Sequence, residues 1–256
     1  MFEVTARMKI RDGQLDGFKQ HAAEIMRLTR EQDTKTLRYD WFLSDDGTEC
    51  EVRECYVDAD GLLDHNTHVQ ETRNELFRDH AYGHEMTIYD EPSPALAELI
   101  ERLEGHVAFN RYSFLRGLDG EIHACNPAAF EASARLRIRE GQLEGFKHQA
   151  GEVIGQMSEQ VERPLRYDWF LREDGTECEV REAYASANAL LDHQRKVAEA
   201  KMKLFRDFID GHTMTFYEEP SPGLAGALQA MSVAFRQFSF FQGLEADAKV
   251  LDGVPA

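Results

Sequence analysis

The chain has 256 residues, a hydrophobic fraction of 42% and a formal charge of −18, from 47 acidic against 29 basic side chains. That length supports one large domain or two ordinary ones with packed cores, and the charge argues against nucleic acid and anionic lipid as partners. No run of about 18 apolar residues occurs, and the opening MFEVTARMKIRDG lacks a basic and then apolar leader, so a cytoplasmic protein with no membrane contact is expected.

Phe2, Val4, Ala6, Met8 and Ile10 alternate with Glu3, Thr5, Arg7 and Lys9, which predicts a first strand with one apolar face. Leu15, Phe18, Ala22, Ile25 and Met26 then recur at helical spacing. Two strands follow, joined at SDDGT, where Asp46-Gly47 supplies the positive φ of a tight hairpin. Asp58 is placed to cap a second helix, whose stripe carries Leu62, His65, Val69 and Leu76. A fourth strand, GHEMTIYDEP, ends at a proline that removes a ladder donor; a short helix, ALAELIERL, and a fifth strand, VAFNRYSFL, come after it. The order strand, helix, strand, strand, helix, strand is the ferredoxin-like plan of an α+β fold.

The plan then returns 128 residues later. LRYDWFLSDDGTECEVRE from Leu37 becomes LRYDWFLREDGTECEVRE from Leu165, and roughly 53 of 93 positions agree between 2–94 and 130–222. A match of that extent is domain duplication, and Ser186 takes the capping place of Asp58. The expected organisation is a barrel half over 1–118, a linker over 119–129 (DGEIHACNPAA), a second half over 130–244 and a tail over 245–256. Two tandem ferredoxin-like units packed sheet to sheet would form a pseudo-dimeric α/β barrel. Assembly of the chain into a homo-oligomer is left open.

With Asp46-Gly47 as the turn, Leu37, Tyr39, Trp41, Leu43, Cys50, Val52, Glu54 and Tyr56 share one hairpin face. Arg38, Asp40, Phe42, Glu49, Glu51 and Arg53 share the other. Glu54 is a lone carboxylate in an apolar row, so it needs a partner or a shifted pKa. His65 projects from the apolar stripe of the second helix, and His84 lies on the same face of the fourth strand as Met86 and Ile88. The copies are Tyr167, Trp169, Glu182, His193 and His212. The candidate functional residues are therefore His65, His193, Glu54 and Glu182 together with Tyr39, Trp41, His84, Tyr167, Trp169 and His212, each set placed to line one space between sheet and helices. The same set also suits satisfied core groups, and His65, His84 and Glu54 have the ligand types of a two-histidine, one-carboxylate metal site. Cys50, Cys55, Cys125 and Cys178 contain no C-x-x-C pair, which argues against disulfides and zinc, and no G-x-G-x-x-G fingerprint occurs.

The stretch LRYDWFLSDDGTECEVRECYVDADGLLDH, the glutamate two before an aromatic (Glu54 and Tyr56, Glu182 and Tyr184) and the histidine of the second helix resemble the antibiotic biosynthesis monooxygenase family of dimeric α/β barrels. The likeness spans both repeats. It implies a cofactor-independent monooxygenase whose partners are molecular oxygen and a small aromatic substrate, an electron-rich phenol or quinol that is its own electron source. In that reading His65 is the base, Glu54 orients it, and Tyr39 and Trp41 wall the ring. No cofactor and no metal are expected, because the Asn, Trp and His set of haem-degrading members has no match here. The alternative is a non-catalytic ligand-binding or stress-response barrel in which these side chains close into a polar cluster.

Overall fold

The computed structural model describes residues 1–118, 130–158, 163–230 and 235–244. The expected linker, 119–129, and tail, 245–256, lie outside the described residues. The mixed α+β chain divides into two compact units, the first made of Met1–Arg111 and the segment from Phe238, the second of Tyr112–Gln237. In chain order the elements are β1 (Phe2–Ile10), α1 (Leu15–Gln32), β2 (Thr36–Ser44), β3 (Glu49–Tyr56), α2 (Ala59–Asp79), β4 (Ala81–Ile88), α3 (Pro94–Leu103) and β5 (Ala108–Arg116). Then come β6 (Phe130–Ile138), α4 (Leu143–Ser158), β7 (Arg166–Arg172), β8 (Glu177–Tyr184), α5 (Ala187–Lys196), α6 (Ala198–Phe208), β9 (Ile209–Phe216), α7 (Pro222–Ala230) and β10 (Phe235–Gln242).

In the first unit β1 lies between β3 and β4, and β2 pairs β3, all antiparallel. The start of β5 joins β4 in parallel, and the end of β10 joins β2 antiparallel. The second unit repeats this ladder with β6, β8, β7 and β9; there the start of β10 runs parallel to β9 and the end of β5 antiparallel to β7. The hairpins turn where the sequence placed them, with Gly47 at φ 68° and Gly175 at φ 71°, a region that glycine enters without a Cβ clash. Trp41 faces Val52, and Tyr39 faces Glu54, in the expected register. Leu37 departs from the expected face. A register shift between Thr36 and Arg38 turns it outward, 47% exposed.

Helices α1 and α2 cover the apolar face, where Phe18, Ile25, Leu62, Val69 and Leu76 pack with Tyr39, Trp41 and Val52. The sheet face turned away from the helices is buried and charged, so its ions need partners. Arg7 Nε reaches Glu51 Oε2 at 2.6 Å and Arg38 Nε reaches Asp40 Oδ2 at 2.6 Å. The second copy repeats both pairs, Arg135 with Glu179 and Arg166 with Asp168, each at 2.8 Å.

The copies differ at the second helix. α2 runs unbroken for 21 residues, whereas its counterpart is interrupted at Val197, with φ −105° and ψ 12°, into α5 and α6. Neither glycine nor proline stands at the break. Among the described residues no helix is long and apolar enough to cross a membrane.

Both expected caps form. The Asp58 side chain accepts from Gly61 N at 2.9 Å, and Ser186 Oγ accepts from Ala189 N at 3.2 Å. Asp58→Ala should therefore lower stability by about 1 kcal/mol in urea titrations, with Asp58→Ser recovering most of the loss. An unchanged midpoint in the alanine variant would show that the cap contributes nothing.

Candidate functional site

In the first unit the hairpin, α2 and β4 bring Tyr39, Trp41, Glu54, His65 and His84 to one small cavity of about 40 Å³. Glu54 sits in it as β3 alternation demands, 6% exposed. Its partner is Tyr56, whose hydroxyl donates to Glu54 Oε2 at 2.7 Å. Burial raises the Glu54 carboxyl above its ordinary range, opposed by His65 and by the Tyr56 hydrogen bond.

His65 is oriented by Asp33, which corrects the expectation that Glu54 would do so. His65 Nδ1 donates to Asp33 Oδ2 at 2.7 Å, His68 Nδ1 donates to Asp33 Oδ1 at 2.6 Å, and Thr36 Oγ1 adds a third bond at 2.7 Å. Burial pushes the Asp33 carboxyl up, but these three donors outweigh it and hold it below the usual carboxylate range. The His65 ring packs on Tyr39 at 4.6 Å and Tyr56 at 5.7 Å between centroids. Asp33 belongs to the turn between α1 and β2, where no periodicity marks it. Its place in the second copy is taken by Val161, which lies outside the described residues.

Arg73 was a further residue to be found. It stands eight after His65 on α2, lines the same cavity, and donates through Nη1 to Asn66 Oδ1. A cation on an otherwise apolar helix stripe is the signal that marks it. His84 stacks on Phe77 at 4.4 Å, and burial, with the Arg73 charge adding to it, pushes His84 down to about 4. His65, His84 and Glu54 do not gather into a metal-holding group; among the described residues no cluster of three or more His, Cys, Asp and Glu does.

The second unit arranges the same letters differently. Tyr167, Trp169, Glu182 and His212 line a cavity of about 510 Å³ whose other walls are largely apolar. Lys201, the counterpart of Arg73, enters it, donating to Gln194 Oε1 at 3.1 Å and lying 5.6 Å from the Tyr167 ring centroid. Burial lowers the Lys201 ammonium below its ordinary value, with Glu182 opposing. Burial and then Lys201 also lower His212. The Trp169 Nε1 and Tyr167 hydroxyl are buried without a hydrogen-bond partner.

His193 is not among the residues lining that cavity. It is 4% exposed, packed on Tyr167 at 5.1 Å and Tyr184 at 5.4 Å, with neither ring nitrogen hydrogen-bonded. Burial, followed by the charges of Lys201 and Lys196, pushes it down to about 2. Because the folded state resists protonation that an unfolded histidine accepts near 6.5, stability must fall as pH drops below about 6.5. At pH 5 this one group costs about 2 kcal/mol, against almost nothing at pH 7. His193→Gln should therefore shrink the difference in Tm between pH 7 and pH 5, whatever its effect at pH 7. An unchanged difference would mean that His193 charges in the folded protein.

No known family model and no curated protein matches the chain. Among solved structures, a proposed monooxygenase from Fusobacterium nucleatum covers 83% of this chain and 89% of its own, at 10% identity and a TM-score of 0.57. Another, from Lactobacillus acidophilus, covers 83% and 90%, at 11% identity and a TM-score of 0.54. An anthrone oxidase-like protein covers 83% and 88%, at 8% identity and a TM-score of 0.51. Through both of its copies, then, the chain has the fold of these monooxygenases, the fold that its resemblance to the antibiotic biosynthesis monooxygenases implied.

Proposed function

We propose that this protein is a cofactor-independent monooxygenase for an electron-rich phenol or quinol of two or three fused rings, acting in the cavity of the second unit. One observation carries the reading: an apolar space of about 510 Å³ lined by Tyr167 and Trp169, whose phenol O–H and indole N–H are buried with no hydrogen-bond partner. That size falls among small-molecule sites, and the two unpaired groups suit the oxygens of a bound substrate. Neighbours of the same fold described as monooxygenases, and one as anthrone oxidase-like, support the same class.

Lys201 is the proposed base. Burial favours its neutral amine, which takes the substrate's phenolic proton and remains as an ammonium beside the phenolate. The electron-rich anion transfers one electron to oxygen, the radical pair combines at the ring carbon opposite, and a hydroperoxide results. Loss of water leaves a quinone: the phenol and O2 give quinone and water, one oxygen atom in each. Trp169 and Tyr167 hold the substrate oxygens, and Glu182 and His212 line the same space. His193, packed behind Tyr167, positions that ring, and His65 with Glu54 holds the equivalent wall of the first unit.

Turnover of 1,8-dihydroxyanthrone and of naphthols under ¹⁸O2 tests this. One ¹⁸O should enter the quinone, the rate should persist in protein without flavin or haem absorbance, and Lys201→Met should reduce kcat by ~10²- to 10⁴-fold. Saturable binding with no oxygen uptake would replace the enzyme with a ligand-binding protein.

The same proposal has the two units pairing sheet to sheet, which the buried ion pairs on the faces turned from the helices support. A chain packed that way should scatter with a radius of gyration of about 18 Å; separate beads would give a clearly larger one. A reducing, cytoplasmic setting suits the buried free thiols Cys50 and Cys178.

A further inference from the structure

The two copies differ in how the space beneath the second helix is divided. In the first unit it forms two cavities: an inner one of about 40 Å³ against Trp41 and Glu54, and an outer one of about 450 Å³ beneath α3. Asn66, Arg73, Phe77 and His84 belong to the walls of both. Their counterparts Gln194, Lys201, Phe205 and His212 line one undivided cavity of about 510 Å³, which reaches from Trp169 to Leu224 and Leu228 on α7.

The volumes decide what each space admits. About 40 Å³ holds a water molecule or so, whereas a benzene-sized guest occupies a cavity of about 150 Å³. Within the shared wall, Phe and His are the same in both copies; Arg73 and Asn66 are what change, to Lys201 and Gln194. The planar guanidinium fork fills more of the gap than a point ammonium does, and its bond to Asn66 holds it across the opening. Trp41, whose buried Nε1 is also without a protein partner, lines a space with room for water alone.

We propose that the duplicated sites have parted: only in the second unit does a planar, multi-ring hydroxyaromatic reach the tryptophan of the hairpin, and the Arg73–Asn66 pair is what shuts the space against Trp41. This rests on the reading of the second cavity as an aromatic site. It adds that Arg73 and Asn66 against Lys201 and Gln194 set which of the two tryptophans such a ligand reaches.

The chain has two tryptophans, one against each space, so the two indole N–H cross-peaks in a ¹H–¹⁵N spectrum report each site. Trp41→Phe and Trp169→Phe assign them. The probe is 1,8-dihydroxyanthraquinone, a three-ring phenol already at the quinone level, so that binding is read apart from turnover. On titration the Trp169 peak should shift and saturate while the Trp41 peak stays. In the double variant R73K/N66Q both peaks should shift; in K201R/Q194N binding at Trp169 should weaken at least tenfold. Dispersed spectra and thermal melts establish that each variant is folded, and R73K alone serves if the double variant is not. Trp41 moving together with Trp169 in the wild-type chain would overturn the proposal and leave the aromatic reading standing. A silent Trp41 in a folded R73K/N66Q variant would overturn the assignment of the gate. No response of either peak would remove the proposal and the aromatic reading beneath it.

Discussion

A carboxylate set in the middle of an apolar sheet face has to be answered by the groups around it, and both units are organised around that need. Glu54 and Glu182 occupy inward positions fixed by strand alternation, and each is met by the tyrosine two residues on, at 2.7 and 2.5 Å. One hydroxyl satisfies one oxygen of a group with about four acceptor sites. The remaining demand falls on the second helix, which has to present polar or cationic groups on the stripe that should be wholly apolar. In the first unit His65 and Arg73 answer it, their charges opposing the rise of the Glu54 carboxyl, and in the second Lys201 stands against Glu182 while His193 hydrogen-bonds to nothing.

The answers differ in how completely they close. In the first unit Asp33 gathers His65, His68 and Thr36, and Arg73 ties to Asn66, so nearly every polar group around the carboxylate has a partner. In the second unit His68 is replaced by Lys196 and Asp33 by Val161. His193 and Tyr167 are then buried with unpaired atoms, beside a Trp169 Nε1 that lacks a partner as Trp41 Nε1 does in the first unit, and each such atom costs roughly 1–3 kcal/mol. A ligand in that cavity would recover such free energy only where it bonded Tyr167 and Trp169, which line it; His193 does not.

Much of this was legible in the letters. Strand alternation and the Asp-Gly turn gave the hairpin register to the residue, down to Tyr39 opposite Glu54, because a one-residue slip would expose every core side chain. The histidines of α2 and β4 were legible for the same reason, as polar exceptions in apolar periods. Asp33 was not, since it sits in a connection without periodicity and its copy is a valine, so comparison of the repeats passes over it. Arg73 was within reach: it lies on the His65 stripe, and its copy keeps the charge. The division of the first cavity was beyond sequence reasoning altogether, because it depends on the size and angle of two side chains rather than on their type. The same holds for the outward turn of Leu37, which follows from a shift of register at the strand start.

The duplication has a consequence for how such a protein can change over generations. In a homodimer every substitution appears in both subunits at once, so a mutation that opens one site opens its twin, and the loss of packing is incurred twice. A fused pair is released from that coupling. The unbroken α2 and the break at Val197 between α5 and α6 are differences that no pair of identical subunits can carry. One copy is free to keep its polar groups bonded and supply stability, and the other to hold the strain that activity demands. Selection then acts on two loci where a symmetric ancestor offered it one.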